Sequence, residues 1–142
     1  VSYIDADARD TRRILEEAAR TLDFSQPVGV MLIAVLHCIP DEDDPAGIVA
    51  TLMNAVPAGS YLVLTHPAID QVPDAGARGQ ESLSRSLGKK VTYRTRDQVA
   101  SFFAGLELVD EGVVPVQMWH PDSELDTKSR PTGMWGAVAQ KL

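Results

Sequence analysis

The sequence predicts an α/β fold in which a largely parallel sheet carries helices on both faces and closes with an antiparallel hairpin at its C-terminal edge. Three observations lead there. Val28 to Leu36 is an almost unbroken apolar run without polar alternation, flanked by Pro27 and Pro40, as expected of a strand buried on both faces. Tyr61 to Thr65, within "GSYLVLTHP", is a second such run. Between them Ile48, Val49, Leu52, Met53 and Val56 recur at helical spacing. In a strand, helix, strand unit the crossover is right-handed, and the ligand crevice lies beyond the carboxyl ends of the strands.

The remaining elements follow in order. "YIDADARD" predicts a short strand ending in Asp5 and Asp7, after which Asp10 caps a helix whose Ile14, Leu15, Ala18, Ala19 and Leu22 share a face. Asp44 followed by Pro45 supplies an N-cap and a first-turn proline for the central helix, which Pro57 and Gly59 end. Residues 67–92, rich in Ala, Gly and Ser and weakly periodic, are expected to form a mobile helix and loop covering the crevice on the acceptor side. Thr95 and Gln98 make a capping box ahead of Val99, Phe102, Phe103 and Leu106, with Gly105 near the helix end. "LELVDEGVVPV" and "MWGAVAQKL" are the last two strands. Their connection, Gln117 to Gly133, has no helical pattern, so they are expected to pair antiparallel. No repeat or linker divides the chain, and residues 1–142 read as part of a single domain.

Composition narrows the function. With 142 residues, 44% hydrophobic and 23% charged, the chain suits one globular domain. A formal charge of −7 without clustered Lys and Arg argues against nucleic acid as a partner. Cys38 is the only cysteine, which excludes an intrachain disulfide and a cysteine-rich zinc site and fits a reducing cytoplasm. No signal-peptide pattern opens the sequence, and no apolar run approaches the roughly 20 residues needed to span a bilayer.

The central apolar run ends abruptly on His37, Cys38 and four acids, in the loop leaving the carboxyl end of a central strand, which is where such folds place function. Asp41, Glu42, Asp43 and Asp44 are carboxylates that could in principle serve a hard cation. Capping and the helix dipole already account for acids just ahead of a helix, so no metal is expected.

"YIDADARD", "LIAVLHCIPDEDDPAGIVATL", "AVPAGSYLVLTH", "VASFFAGLELVDEGVVPV" and the terminal "WGAVAQK" together resemble one family. It is the class I S-adenosylmethionine-dependent methyltransferases, and within them the actinobacterial S-adenosyl methyltransferases, a group formerly of unknown function. The resemblance covers nearly the whole chain. The strand running into Leu-His and then Pro-Asp-Glu-Asp-Asp-Pro is its most specific part, whereas "PAGSYLVL" recurs in many methyltransferases. It implies a Rossmann-like sheet, S-adenosyl-L-methionine as cofactor and a small-molecule methyl acceptor.

It also implies roles for particular residues. Asp7, after the family's third strand, matches the acid that accepts a hydrogen bond from the adenine amino group, with the backbone of Ala8 beside it. Without the family, the residues favour the reading in which Asp5 and Asp7 merely shape a turn before the helix. Ala34, Val35 and Leu36 match the segment passing the methionine part of the cofactor, where a small Ala34 lets the backbone come close. His37 could act as a base, being neutral near its ordinary pKa, or could be a strand-end residue bonded to the neighbouring loop. His66, at the end of the next strand, is placed equally well. Trp119 and His120 lie in the edge hairpin, where an aromatic closes over an acceptor or simply packs. Methyl transfer requires no metal and no covalent enzyme intermediate, because alignment and exclusion of water supply much of the acceleration.

The family's glycine-rich turn after the first strand and the acid after its second, which hold the cofactor's methionine end and ribose, have no counterpart here. "GARGQ" follows no predicted strand. The chain is therefore expected to be the C-terminal portion of a methyltransferase, beginning in its third strand and lacking the first two. The rest is expected upstream or on another chain, and the strand at Val28 to Leu36 is left with an apolar edge that invites pairing or a homo-oligomer. The segment alone is expected not to bind the cofactor. The alternative is a non-catalytic methyltransferase-like module that binds a ligand or a protein.

Overall fold

A computed structural model describes residues 1–122 and 131–142. The elements run in chain order α1 (Thr11–Ala18), β1 (Gly29–Ile33), α2 (Pro45–Asn54), β2 (Tyr61–Pro67), α3 (Pro73–Leu87), α4 (Arg96–Ser101), β3 (Glu107–Leu108), β4 (Val114–Pro115) and β5 (Met134–Gln140). The sheet order is β1-β2-β5-β3, with β4 also on β5. β1 and β2 are parallel, from Gly29 opposite Tyr61 to Ile33 opposite Thr65. β5 returns antiparallel along all of β2, from Tyr61 opposite Gln140 to Pro67 opposite Met134, and carries β3 and β4 antiparallel on its other side. No helix among the described residues is long and apolar enough to cross a membrane.

The helix starts follow their local chemistry. Asp10 accepts from the Arg13 amide at 3.2 Å, Asp44 from the Gly47 amide at 3.0 Å ahead of Pro45, and Thr95 with Gln98 closes both halves of a capping box. Asp44 performs its task in the left-handed region, at φ 52°. Asp44→Ala should therefore lower stability by about 1–2 kcal/mol, adding a disfavoured backbone to a lost cap. Asp44→Asn, which keeps an acceptor and tolerates that backbone, should lose much less. Urea unfolding checks this, and equal midpoints for wild type and Asp44→Ala would contradict it.

Packing is one-sided at the β1 end of the sheet. Val30, Leu32, Leu62 and Leu64 turn toward a core built with Ile48, Leu52, Val99 and Phe102 of α2, α4 and the residue after it, while Ile14 and Leu15 of α1 pack at its margin. Met31, Ile33 and Tyr61 point the other way and are 65%, 46% and 40% exposed. Farther along, the helical turn at Val116–Met118 closes over that outward face. A Cβ on Gly136 would meet Val116 Cγ1 at 2.8 Å.

Three expectations change. The run Val28 to Leu36 is not a strand buried on both faces: it is regular only from Gly29 to Ile33, alternates in exposure, and has β2 as its one partner among the described residues. Ala34 ends it by turning left-handed at φ 51°, with its amide donating to Thr65 O at 3.1 Å and Thr65 Oγ1 at 3.0 Å. "YIDADARD" forms no strand, since no ladder among the described residues reaches it and Tyr3 is 90% exposed. "LELVDEGVVPV" is two short strands, because left-handed Asp110 and Gly112 make a turn within it. Of the Gln117 to Gly133 connection, residues 123–130 lie outside the described residues. Within 67–92 a helix, α3, does form and stops at Gly88, which is left-handed at φ 64°.

Candidate functional site

The site lies where β1 ends. After the bend at Ala34 the chain winds into a single helical turn, Leu36–Cys38, and the Thr92 amide holds it from outside by donating to His37 O at 2.8 Å. The segment before α1 comes to the same place. Asp7, Ala8 and Arg9 line one side of a cavity of about 180 Å³; Val35, Cys38 and Ile39 line the other, and Lys89 reaches it from beyond α3. Three of the five residues matched to cofactor binding, Asp7, Ala8 and Val35, thus line one cavity although α1 and β1 separate them in sequence. Ala34 is the bend beside them. Leu36, also matched to the cofactor, is not brought to it: the residue has no exposed surface, joins the core and gives its carbonyl to Arg94, so it does not line the cavity.

Asp7 does not stand free. Its Oδ1 accepts from the Arg9 amide and Nε, both at 2.9 Å, and its Oδ2 from Arg9 Nη2 at 2.8 Å. These bonds to Arg9 hold its carboxyl well below the usual carboxylate range. Asp7 is therefore an anionic acceptor at any ordinary pH. A carboxylate oxygen has more lone-pair capacity than Arg9 uses, and apolar Val35 and Ile39 stand opposite. An acceptor at the rim with apolar walls suits a flat, amine-bearing base such as adenine.

The two histidines, equal in sequence, differ in their surroundings. His66 has no exposed surface. Its Nδ1 is 2.9 Å from Pro67 O and its Nε2 is 2.9 Å from Arg94 Nη1. A carbonyl can only accept and a guanidinium can only donate, so Nδ1 carries the hydrogen and Nε2 the lone pair. Burial pushes its pKa down to about 4. With both nitrogens engaged, His66 faces no acceptor in this arrangement. His37 is half-buried, with its ring edge-on to His66 at 6.3 Å. Its Nδ1 has no hydrogen-bond partner among the described residues, and burial, then Lys89 and Arg94, lower its pKa. It is a neutral imidazole with an unengaged nitrogen.

Of the four acids only Asp44 caps. Asp41 pairs with Arg94 at 2.8 Å, Asp43 with Arg9 at 2.8 Å and Glu42 with Lys90 at 3.4 Å. Sequence reasoning missed Arg9 and Arg94, each of which reaches across to this loop from a distant segment. "VTYRTRDQ" shows nothing to separate Arg94 from a solvated arginine, and only its burial does so. Over the outward face of β2 and β5, Trp119 lies edge-on to His120 at 5.2 Å and lines a small apolar cavity with Val63, Val116 and Gly136. His120, Asp110 and Glu111 form an exposed cluster whose ligand-type atoms lie within 4.8 Å of one another. The bond to Asp110, then the charge of Glu111, raise the His120 pKa and favour a proton there.

An open sheet with a parallel β1–β2 pair, an antiparallel C-terminal strand and a cavity where β1 ends is the Rossmann-like architecture of class I methyltransferases. The profile of the S-adenosyl methyltransferase family matches residues 1–142, and the chain belongs to that family. A DUF574-family protein from Streptomyces avermitilis is similar at 37% identity and a TM-score of 0.91, over 99% of this chain and 55% of that one. A candidate methyltransferase from Thermobifida fusca is similar at 28% identity and a TM-score of 0.87, over 96% and 52%. An O-methyltransferase family protein from Burkholderia thailandensis, 16% identical with a TM-score of 0.61 over 99% and 36%, shares the fold. The chain spans about half the length of the first two. No curated protein matches the sequence.

Proposed function

We propose that this protein transfers a methyl group from S-adenosyl-L-methionine to a small-molecule acceptor, and that residues 1–142 supply the adenine side and the acceptor side of the site. The observation that carries this reading is the cavity uniting Asp7 and Ala8 with Val35. Asp7 would accept from the adenine amino group, Val35 and Ile39 would press on the ring, and the bend at Ala34 would pass the methionine end. The cofactor supplies a sulfonium-activated methyl group. His37 would be the candidate base, but only after its ring turns outward, because its unpartnered Nδ1 is buried; His66 serves by holding Arg94. Residues 67–92 would cover the acceptor. The ribose and methionine carboxylate contacts would come from an N-terminal methyltransferase portion, upstream or on another chain, seated on the free edge of β1 and the exposed Met31 and Ile33. That the chain spans about half of its structural relatives supports this division.

Isothermal titration with S-adenosylhomocysteine is the test. The complete protein should bind, and residues 1–142 alone should not. In the complete protein Asp7→Ala should weaken binding by about 1.5–3 kcal/mol, the range for a hydrogen bond to a charged group. A folded Asp7→Ala variant with unchanged affinity would remove Asp7 from the site. A complete protein that binds no S-adenosylhomocysteine would favour a non-catalytic module.

A further inference from the structure

Arg94 is a buried charged side chain, 2% exposed, that the reaction does not call on. All five of its N–H groups are used. Nε donates to Asp41 Oδ1 at 3.3 Å, Nη1 to Leu36 O and to His66 Nε2, both at 2.9 Å, and Nη2 to Ile39 O at 2.9 Å and Asp41 Oδ1 at 2.8 Å. Its backbone is rooted at the end of β2, with its amide donating to Pro67 O at 3.2 Å and its carbonyl accepting from the Ile69 amide at 3.1 Å. From there the side chain reaches back beneath the turn that follows β1 and takes a carbonyl at each end of it. The outer side of that turn presents Val35, Cys38 and Ile39 to the cavity shared with Asp7. Phe102 lies against the guanidinium, 5.4 Å from ring centroid to Cζ.

We propose that Arg94 is a positioning residue for cofactor recognition: it fixes the 36–41 turn, and with it the apolar wall opposite Asp7. The inference rests on the methyltransferase reading above. A buried guanidinium satisfied only by surrounding atoms is costly to desolvate, and the same volume filled by apolar side chains is commonly no less stable. Its planar fork, however, can hold two carbonyls, one carboxylate and one imidazole at fixed angles. A lysine, with three donors on one atom, cannot. The neutral state of His66 belongs to the same arrangement, because an imidazolium would turn a second donor toward Arg94.

The test compares Arg94→Lys with Val99→Ala in the complete protein. Val99 has no exposed surface and an apolar side chain, so its truncation lowers stability without removing a hydrogen bond from the turn. Well below both unfolding midpoints, Arg94→Lys should weaken binding of S-adenosylhomocysteine and of adenosine about tenfold alike, the loss expected of a charge-assisted hydrogen bond. It should also speed amide exchange at Cys38 and Ile39, whose N–H groups close the turn on Val35 O and Leu36 O. Val99→Ala should change neither. Asp41→Ala decides the matter should Arg94→Lys fail to fold. Its side chain is 70% exposed, so water can take its place at the guanidinium, and the variant should show the same two effects at smaller size. Unchanged affinity in folded Arg94→Lys, or in Asp41→Ala when the first does not fold, would overturn the inference and leave the methyltransferase reading intact. A wild-type protein that binds no S-adenosylhomocysteine would overturn both.

Discussion

Leu64→Asp should abolish cooperative folding of the 142-residue chain, whereas Ile33→Asp should leave it folded. Leu64 has no exposed surface and sits in β2 between Leu32 of β1 and Ala137 of β5, so no rotamer brings a carboxylate there to water. An unpaired buried charge costs several kcal/mol, against a total stability of about 5–15 kcal/mol for ordinary domains. Ile33 is 46% exposed on the outward face, where a carboxylate stays hydrated. Circular dichroism during heating separates the two outcomes, and a wild-type midpoint for Leu64→Asp would contradict this account of the core. In the complete protein the contrast also tests the proposed N-terminal portion. If that portion covers the outward face, Ile33→Asp becomes damaging there as well.

The sequence could not distinguish these two residues, and the reason is physical. An apolar run reports that a strand is meant to be covered; it does not report whether the covering element is at hand. Exposure belongs to the neighbours, which is also why "YIDADARD" reads as a strand and has no ladder. Local chemistry was legible because its partners lie within four residues. Asp44 before Pro45, Thr95 with Gln98 and the helical spacing from Ile48 to Val56 each became the element they indicate. The bend at Ala34 was not, since alanine carries no turn signal and the bend is held by Thr65 from the next strand. The site divides in the same way. Motif position brought Asp7, Ala8 and Val35 to one cavity, whereas the ion pairs of Arg9, Lys90 and Arg94 with the acids bridge 34, 48 and 53 residues and leave no local trace.

Acid should destabilise this protein earlier than its carboxylates require, and His66 should be the cause. Folding presses the His66 pKa from its ordinary 6.5 down to about 4, chiefly by burial, with Arg94 and His37 adding to the effect while the Pro67 carbonyl and Asp41 oppose it. Above the ordinary value His66 is neutral in both states and costs nothing. As the pH falls below it, the unfolded chain takes up a proton that the native protein refuses, so stability declines by up to about 1.4 kcal/mol per pH unit. Near pH 5 the loss should reach about 2 kcal/mol, before most carboxylates titrate. His66→Gln isolates it: the carboxamide oxygen can accept from Arg94 and its NH2 can donate to Pro67 O, and neither group titrates. His120, with a raised pKa, contributes equally to both proteins and cancels in the difference, and His37, edge-on to His66 at 6.3 Å, adds only the repulsion already counted among the causes of the His66 shift. Urea unfolding at several pH values from about 7 to about 5 should therefore show wild type losing about 2 kcal/mol more than His66→Gln. Parallel pH profiles would show that His66 is not held neutral in the native protein, and the hydrogen-bond assignment that makes it an acceptor for Arg94 would fall with them.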